Sequence, residues 1–443
     1  MKILIITFGS RGDVQPFVAL GQGLKAIGHT VTICTSSSFQ SFITDHGLNY
    51  GYASNDLMDL MDSVEGREAM ETSRDVLGVV RTTIKLMNEA KSINQQLLTD
   101  SWATAQAADP DIVIFHPKAL GGVSIAEKLN IPAVMVLPCP MIVPTAELPT
   151  IGFPNLNLGG WYNTFTYKLV QMGYQMYGAQ VDKFRQDQLG LSKFPKSSGL
   201  LRLANGQPIP VLHCYSAHVA PRPRDWPAHV HITGYWFLDQ AEEWEPSAEL
   251  KAFLDAGEAP VYIGFGSMAG RQPGRLANIV VEALKKANLR GIIATGGGGL
   301  EVEQLPDTLL EIKAEPHEHL FPHVSAVVHH GGAGTTAAGL RAGKPTVICP
   351  FIGDQSFWGE CVYELGVGPK PISQKKLSVD RLADALLTTT SNVTMREKAQ
   401  ALGAQIQHEK GIETAIAAIE AVLNQSGHPH QSITSASGYI KSI

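Results

Sequence analysis

The chain has 443 residues and a formal net charge of −6 at pH 7; 44% of its residues are hydrophobic and 17% are charged. This composition excludes a fibre or a disordered chain, and the length exceeds what one hydrophobic core usually serves, so we expect two globular domains. The negative net charge gives no basic footprint, so we expect no nucleic-acid partner.

The chain opens with a βαβ unit. Lys2 to Thr7 is a continuous apolar run, typical of a buried parallel strand, and helical spacing of apolar residues follows from Val14 to Ile27. Thr30 to Cys34 indicates a second strand, and runs at 112–115 and 133–137 repeat the pattern. The first half is therefore predicted to be a doubly wound α/β domain.

The turn after the first strand holds two charged candidates. Asp13 lies where catalytic residues of α/β sheets collect, and a carboxylate there could act as a general base. Asp13 could equally be the N-cap of the following helix, whose first turn tolerates Pro16. Arg11 could reach a bound phosphate or stay solvated. The residues alone leave these alternatives open.

The middle of the chain contains an aromatic helical stretch from Trp161 to Phe184. A helix that is apolar nearly all round is usually buried, so plain packing is the first expectation, and a lipophilic pocket or membrane-surface contact is the second. Val211 to Tyr215 indicates the last strand of the first domain. Pro221–Pro227 and Gly234–Pro246 then have the composition of a linker.

No stretch resembles a targeting or spanning segment. The opening apolar run is too short for a secretory signal, and the longest apolar stretch, Ile131–Val143, falls short of the roughly 20 residues that a spanning helix needs. The five cysteines are scattered, which favours buried thiols in a reducing compartment. These features predict a cytoplasmic protein.

The second half repeats the alternation of strands and helices, and residues 426–443 are polar and predicted to be a disordered tail. The predicted strands and closing helices are Val261–Gly264, Gly291–Ala294, Val324–Val328, Thr346–Cys349, Arg396–Gln407 and Thr414–Leu423.

A glycine turn follows the strand that ends at Val328. It contains Gly331, Gly332 and Gly334, and Thr335 and Thr336 then open a helix predicted over 337–342. The free N–H groups of a helix start favour an anion, and glycines let a phosphate approach the backbone. Either threonine could cap the helix or donate to a phosphate, and His330 could add a donor. A tight structural turn is the alternative.

Two further sets of polar residues follow neighbouring strands. Asp354 and Gln355 form a carboxylate–amide pair suited to sugar hydroxyls, or they cap the next helix. Ser267 suits a diphosphate, or belongs to an ordinary strand-end turn. We expect no metal site, because Asp109-Pro110-Asp111 immediately precedes a strand and the histidines at 317–330 lack the spacing of zinc hydrolases.

The run from Pro316 to Pro371 resembles the nucleotide-sugar signature of the family 1 inverting UDP-glycosyltransferases. Within that family it is most similar to sterol 3-β-glucosyltransferases and to bacterial glycosyltransferases of glycopeptides and other natural products, as is the opening Gly9–Pro16. The resemblance implies the GT-B architecture, two Rossmann-like domains facing across a cleft. An acceptor domain would cover residues 1–230, and a nucleotide-sugar domain would cover 231–425, with its final helix crossing back.

The resemblance also implies roles for the candidate residues. Asp13 would be the catalytic base and Asp354 and Gln355 would bind the donor sugar. The donor phosphates would be bound by Arg11, Ser267, His330, Gly332, Gly334, Thr335 and Thr336. The resemblance implies no metal and no other cofactor. UDP-glucose takes part as a co-substrate.

The implied reaction transfers glucose to a lipophilic alcohol, with a sterol as the leading acceptor and at most peripheral membrane contact. Alternatives are a polyketide, carotenoid or glycolipid acceptor with a UDP- or dTDP-sugar, or a nucleotide-sugar 2-epimerase of the same fold. Ala314 and Ala338 stand where the plant enzymes have a base-stacking tryptophan and a ribose-binding glutamate. Base and ribose contacts therefore stay unassigned.

Overall fold

The computed structural model describes residues 1–62, 76–195, 199–239, 244–266, 273–296, 298, 300 and 305–425. The predicted tail, 426–443, lies outside the described residues, as does Ser267.

The first domain is built on a seven-stranded parallel sheet with the order β3-β2-β1-β4-β5-β6-β7. Its strands are β1 (Lys2–Ile6), β2 (Thr30–Ser36), β3 (Asn49–Ala53), β4 (Ile112–Phe115), β5 (Ala133–Leu137), β6 (Val211–His213) and β7 (Val230–Ile232). Its helices are α1 (Arg11–Ala26), α2 (Gln40–Asp45), α3 (Asp56–Asp62), α4 (Val76–Ala108), α5 (Gly122–Leu129), α6 (Gly160–Gln175) and α7 (Gly178–Phe184).

The second domain has a five-stranded parallel sheet with the order β10-β9-β8-β11-β12. Its strands are β8 (Val261–Gly264), β9 (Gly291–Ala294), β10 (Leu309–Ile312), β11 (Ala326–His329) and β12 (Thr346–Ile348). Its helices are α8 (Ala248–Asp255), α9 (Pro273–Ala287), α10 (His317–Leu320), α11 (Ala333–Arg341), α12 (Gln355–Glu364), α13 (Val379–Ser391) and α14 (Val393–His408), and α15 (Gly411–Gln425) ends the described chain.

Both sheets are covered on their two faces, which explains why the strands are apolar without alternation. Every residue of β4, β5, β8, β9 and β11 is buried. The predicted fold class, two doubly wound α/β domains, is therefore confirmed.

Each sheet reverses its winding between two central strands. In the first sheet this switch point lies between β1 and β4, where Ile6 is opposite Phe115. In the second sheet it lies between β8 and β11, where Gly264 is opposite His329. Ligands of open α/β sheets bind beyond the carboxyl ends of the strands at such points. Asp13 and His330 follow β1 and β11, so each candidate turn lies at a switch point.

The two domains are joined by more than the connecting segment. Ala415, Ile419 and Leu423 of α15 are buried in the hydrophobic cluster of the first domain that contains Val18 of α1. The Ser216 hydroxyl donates a 2.6 Å hydrogen bond to the Glu409 carboxylate. The last described helix thus crosses back to the first domain, as the resemblance implied.

Some boundaries differ from the predictions. Val211–Tyr215 is not the last strand of the first sheet, because β7 adds a further edge strand. Pro221–Pro227 therefore lies inside the first domain rather than in a linker. The Arg222 guanidinium donates to the carbonyl of Trp226 at 2.7 Å, so the side chain closes this proline-rich loop.

The aromatic stretch forms α6 and α7, but the expectation that it is buried is wrong. Trp161, Phe165, Met172 and Met176 are exposed to solvent. The helix buries its opposite side, where Asn163, Thr166 and Tyr167 lie. No helix in the described part of the chain is long and apolar enough to cross a membrane.

Candidate active site

The turn between β1 and α1 positions Asp13. Helix α1 begins at Arg11, so Ser10 is the N-cap and Asp13 is the third helical residue. The expectation of Asp13 as N-cap is therefore wrong, because the helix starts earlier than the apolar spacing indicated. The carboxylate instead accepts a hydrogen bond from the Ser10 N–H at 2.8 Å, as in a capping box. Gly9 has φ +129°, and a side chain there would collide with Asp13 and Lys118.

The two carboxylate oxygens of Asp13 have different partners. Oδ2 accepts from the Ser10 N–H and, at 3.1 Å, from the Ser10 hydroxyl. Oδ1 accepts from Lys118 Nζ at 2.8 Å, and His116 Nε2 lies 3.7 Å away, beyond hydrogen-bond distance. A carboxylate has about four lone-pair positions, so Oδ1 keeps one for an incoming hydroxyl.

Asp13 is ionised at neutral pH although it is largely buried. Burial alone would raise the pKa of its carboxyl, but the positive charge of Lys118, the neighbouring His116 and the Ser10 N–H together hold this pKa below its usual value. A proton acceptor has to start deprotonated, so this environment suits the first requirement of a general base.

His116 is neutral and its tautomer follows from one contact. The backbone N–H of Lys118 donates to His116 Nδ1 at 3.2 Å. Burial lowers the pKa of His116 to about 4. With Nδ1 as acceptor, the ring proton lies on Nε2, the nitrogen that faces Asp13. His116 therefore presents a neutral N–H toward the carboxylate.

The second turn, between β11 and α11, has the strand, glycine turn and helix start that the sequence indicated. Helix α11 begins at Ala333 with Gly332 as N-cap, so neither threonine is the cap. The helix starts before the predicted range because small residues extend it toward the strand. The N–H groups of Ala333, Gly334 and Thr335 belong to the first helical turn, where no carbonyl of the helix can accept from them. They are the donors available to an anion.

Gly331 requires its glycine. Its φ is +95°, and a Cβ at this position would lie 2.6 Å from the Ile348 side chain and 3.0 Å from the carbonyl oxygen of Gln355. This close approach packs the glycine turn against the end of β12 and the start of α12. The two predicted donor-binding segments are therefore adjacent.

Thr336 is placed differently from the expectation. Its hydroxyl is buried and donates to the carbonyl of Gly332 at 2.9 Å, as does its backbone N–H. This side chain is therefore engaged within its own helix turn. The structure leaves Thr335, which is half-buried at the third helical position, as the threonine closer to the open N–H groups.

His330 lies two residues before Gly332, the N-cap of α11. Burial lowers its pKa to about 4, so the ring is neutral at pH 7 and carries one N–H. Its Nδ1 is buried and has no partner in the described part of the chain. The neighbouring His329 accepts a 2.9 Å hydrogen bond from the Gly331 N–H and holds the turn. A nitrogen of the His330 ring is thus open to a ligand, and Nε2 of His329 also has no partner in the described part of the chain.

Asp354 and Gln355 lie at the start of α12. Asp354 Oδ2 accepts from the indole N–H of Trp358 at 2.8 Å. Burial raises the pKa of the Asp354 carboxyl, the Trp358 bond opposes this effect, and the charge of Asp13 adds to it. The side-chain oxygen of Gln355 accepts hydrogen bonds from the backbone N–H groups of Phe351 and Ile352 at 2.7 and 3.0 Å. The side-chain amide nitrogen of Gln355 is therefore left to bind a ligand.

These contacts bring the two halves of the site together. The charges of Asp13 and Lys118 in the first domain both act on Asp354 in the second. Arg11 acts in the same way on His317, lowering its pKa further below the value set by burial. The rings of Tyr215 and Trp358 meet edge to face, 5.7 Å apart, at the boundary between the domains. The base candidate and the sugar-binding candidate therefore lie near enough for their charges to interact across the domain boundary.

The side chain of Arg11 is engaged by neighbours in its own domain. Arg11 packs over the ring of Phe42 at 4.7 Å and donates to the Gln15 side chain at 2.9 Å. Ser267 lies outside the described residues. A Cβ added to the preceding Gly266 would lie 3.9 Å from Cε1 of His330.

The first-domain partners His116 and Lys118 had no predicted role. Both follow β4, the strand next to β1 across the switch point, and this position was the signal that could have found them. The excluded Asp109-Pro110-Asp111 motif lies at the other end of the same strands. There, Asp111 accepts from the Lys2 N–H at 2.8 Å and Asp109 pairs with the Lys2 ammonium at 2.9 Å.

Comparison with known proteins places each domain. Residues 3–144 match the glycosyltransferase family 28 N-terminal domain. Residues 285–418 match the erythromycin biosynthesis protein CIII-like, C-terminal domain. The first match contains Asp13, His116 and Lys118, and the second contains the glycine turn and Asp354.

Similarity along about 95% of this chain extends to part of the sterol 3-beta-glucosyltransferases. The chain is 38% identical over 436 residues to that of Aspergillus terreus, covering 95% of this chain and 30% of the relative. It is 38% identical over 435 residues to that of Pichia angusta, covering 94% of this chain and 33% of the relative. The chain thus spans about a third of the length of these relatives.

Solved structures with the same fold are also glycosyltransferases. The glycotransferase of kitacinnamycin aligns with a TM-score of 0.69 at 19% identity, covering 95% of this chain and 98% of the other. The calicheamicin glycosyltransferase CalG4 aligns with a TM-score of 0.68 at 18% identity, covering 96% and 99%. The chain thus carries a glycosyltransferase family 28 N-terminal domain in its first half and an erythromycin biosynthesis protein CIII-like C-terminal domain in its second, and it shares its fold with these solved glycosyltransferases.

Proposed function

We propose that the chain is an inverting, metal-independent glycosyltransferase that moves glucose from UDP-glucose to the hydroxyl of a lipophilic alcohol, with a sterol as acceptor. The observation that carries the proposal is the pairing of the two turns. An ionised carboxylate with one open lone pair lies at the switch point of the first sheet, and a helix start with open N–H groups lies at the switch point of the second. Similarity to the sterol 3-beta-glucosyltransferases along 95% of the chain supports the choice of sugar and acceptor.

The reaction is a single displacement. The acceptor oxygen attacks C1 of the α-linked sugar from the side opposite the diphosphate, and its proton passes to Asp13 Oδ1. The bond between C1 and the phosphate oxygen breaks with its electron pair, and UDP leaves. The configuration at C1 inverts, so the product is β-linked.

The departing charge is received by groups that are oriented before the reaction. The N–H groups of Ala333, Gly334 and Thr335 and the neutral His330 would donate to the phosphate oxygens, where negative charge grows. Asp354 and the Gln355 amide would bind hydroxyls of the glucose. Because backbone donors supply this stabilisation, we propose that no metal is required.

We also place the enzyme in the cytoplasm, at most peripherally bound to a membrane. All five cysteines are free, and four of them are buried, which suits a reducing compartment. The lipophilic acceptor supplies the reason for membrane contact.

The test is incubation of the purified chain with UDP-glucose or dTDP-glucose and a panel of alcohols, with and without EDTA. Mass spectrometry and NMR of the product identify the acceptor and the anomeric configuration. A β-glucoside of a sterol formed in EDTA supports the proposal. Transfer only to polyketide, carotenoid or glycolipid acceptors would replace the sterol, and sugar interconversion without an acceptor would indicate an epimerase.

A further inference from the structure

Helix α6 carries an exposed apolar surface that the proposed chemistry does not use. In the described part of the chain, eleven large hydrophobic side chains are exposed, and six of them fall within residues 156–176. We call this surface the α6 face. It consists of Leu156, Leu158, Trp161, Phe165, Met172 and Met176.

The spacing of the four residues from Trp161 to Met176 places them in one stripe, which Lys168 interrupts. Trp161, Phe165, Met172 and Met176 are separated by four, seven and four positions, so at 3.6 residues per turn they project from one side of α6. Trp161 is 69% exposed and Met172 is 61% exposed. A contiguous apolar patch of several hundred Å² on a folded protein usually marks an interaction surface.

The charge pattern identifies the occupant. Between residues 148 and 181 there is no acidic residue, and Lys168 is the single basic one. Lys168 is exposed and lies within the stripe, between Phe165 and Met172. A surface of tryptophan and long apolar side chains with almost no charge suits the headgroup region of a bilayer. A charged protein partner would find nothing to pair with except this lysine.

The other side of α6 leads to the candidate active site. The Asn163 amide donates to the Ala146 carbonyl at 2.9 Å, and the Thr150 N–H donates to the Thr166 hydroxyl at 2.9 Å. Further along the same side, Tyr174 lies close enough to Cys139 for the two groups to interact electrostatically. Burial raises the pKa of the Cys139 thiol, and the charges of Asp354 and Asp13 in turn raise it further. One helix therefore connects the exposed apolar stripe with the cleft.

We propose that the α6 face docks on a lipid bilayer, with Trp161, Phe165 and Met172 inserted to the depth of the headgroups. The docking rests on the proposed function in one respect: a lipophilic alcohol acceptor is dissolved in the bilayer, and docking brings the cleft to it. Apolar insertion dominates, because one lysine contributes little attraction to anionic lipid.

The binding test uses flotation of the full chain with vesicles of phosphatidylcholine alone and of phosphatidylcholine with phosphatidylglycerol at about four to one. The variant Trp161→Gln/Phe165→Gln/Met172→Gln should bind at least about tenfold more weakly, because it loses most of the inserted apolar area. The wild type should bind the two vesicle types within about fivefold of each other, as one lysine allows.

A matched control removes exposed apolar side chains from the second domain. The variant Tyr363→Gln/Leu387→Gln/Val393→Gln alters residues that are 47%, 44% and 55% exposed. It should float like the wild type, and circular dichroism should show that both variants are folded. A wild type that does not float, or two variants that float equally, would overturn the docking. A wild type that dimerises through this face without binding vesicles would assign the surface to a second copy instead.

Activity separates docking from the proposed function. The α6-face variant should lose transfer to a sterol embedded in vesicles and keep transfer to a short water-soluble alcohol. Equal loss on both acceptors would contradict the inference. If the wild type floats and the variant does not, while neither transfers sugar to any acceptor, docking stands and the proposed function fails.

Discussion

Replacing Asp13 by Asn tests the assignment of the catalytic base. The substitution keeps the size of the side chain and one oxygen, which can still accept from the Ser10 N–H. It replaces the other oxygen by an NH₂ group facing Lys118 Nζ and His116 Nε2, which are 2.8 and 3.7 Å from Oδ1 in the native chain. The variant therefore loses the proton acceptor and places donors against donors.

The expected effects on activity and stability differ in size. Removing a positioned general base lowers the rate by about 10² to 10⁴. Stability should fall by about 1–3 kcal/mol, because a charge-assisted hydrogen bond is lost from a carboxylate whose side chain is 16% exposed. The cap contact with Ser10 survives in part, so the first domain should remain folded.

The assay measures UDP release at saturating UDP-glucose with a water-soluble alcohol, together with the thermal unfolding temperature. Asp109→Asn is the matched control. Asp109 pairs with Lys2 at 2.9 Å, as Asp13 pairs with Lys118, but at the opposite end of the same strands. It should leave turnover within about twofold of the wild type, because Asp109 lies at the opposite end of the strands from Asp13. The protein should also stay folded, since surface substitutions change stability little. If folded Asp13→Asn turned over at a rate comparable to the control, the base would have to be another group.

Three other predictions follow from the same geometry. Lys118→Met should raise the pKa of the Asp13 carboxyl, because burial is then opposed by fewer positive charges; the acid limb of kcat/KM should move from below pH 3.8 to higher pH, and an unmoved limb would contradict the pairing. Gly334→Ala should stabilise α11 by about 0.5–1 kcal/mol, since nothing lies within 4 Å of the added Cβ, yet it should raise KM for UDP-glucose by obstructing the diphosphate; an unchanged KM would move the phosphates elsewhere. Finally, the protein should lose stability as pH falls from about 6.5 toward 4. Unfolded histidines bind protons near pH 6.5, whereas burial keeps several folded ones neutral, so each costs about 2 kcal/mol at pH 5. The buried histidines concerned are His116, His213, His317 and His330. A melting temperature that is constant between pH 7 and pH 5 would refute this prediction.

The central strands could be predicted from the sequence because both sheet faces are covered. A strand buried on both sides has no polar alternation, so runs such as Ile112–Phe115 and Val261–Gly264 stand out. The edge strands β3, β7 and β10 were missed, because each has exposed positions and their sequences resemble loops. Helix starts were placed late where glycine and small residues extend the helix toward the strand, as before Thr335.

The site was predictable in outline because parallel topology collects strand ends at one edge. Asp13 and Asp354 are separated by most of the chain and still act on each other. Side-chain direction was beyond the pattern. Whether Thr336 faces a ligand or its own helix depends on the backbone geometry at Gly332, and the exposure of Trp161 depends on which side of α6 the first domain covers.

The return of α15 to α1 has a consequence for how the chain is made. A nascent first domain leaves the ribosome with the Gly23 side of α1 exposed, since Ile412 and Ile416 of α15 cover it only after the whole second domain has been translated. Neither half is a self-contained unit of biosynthesis. The first domain expressed alone would expose an apolar face of α1 and would tend to aggregate. Fusing residues 411–425 to it through a short linker should restore its solubility.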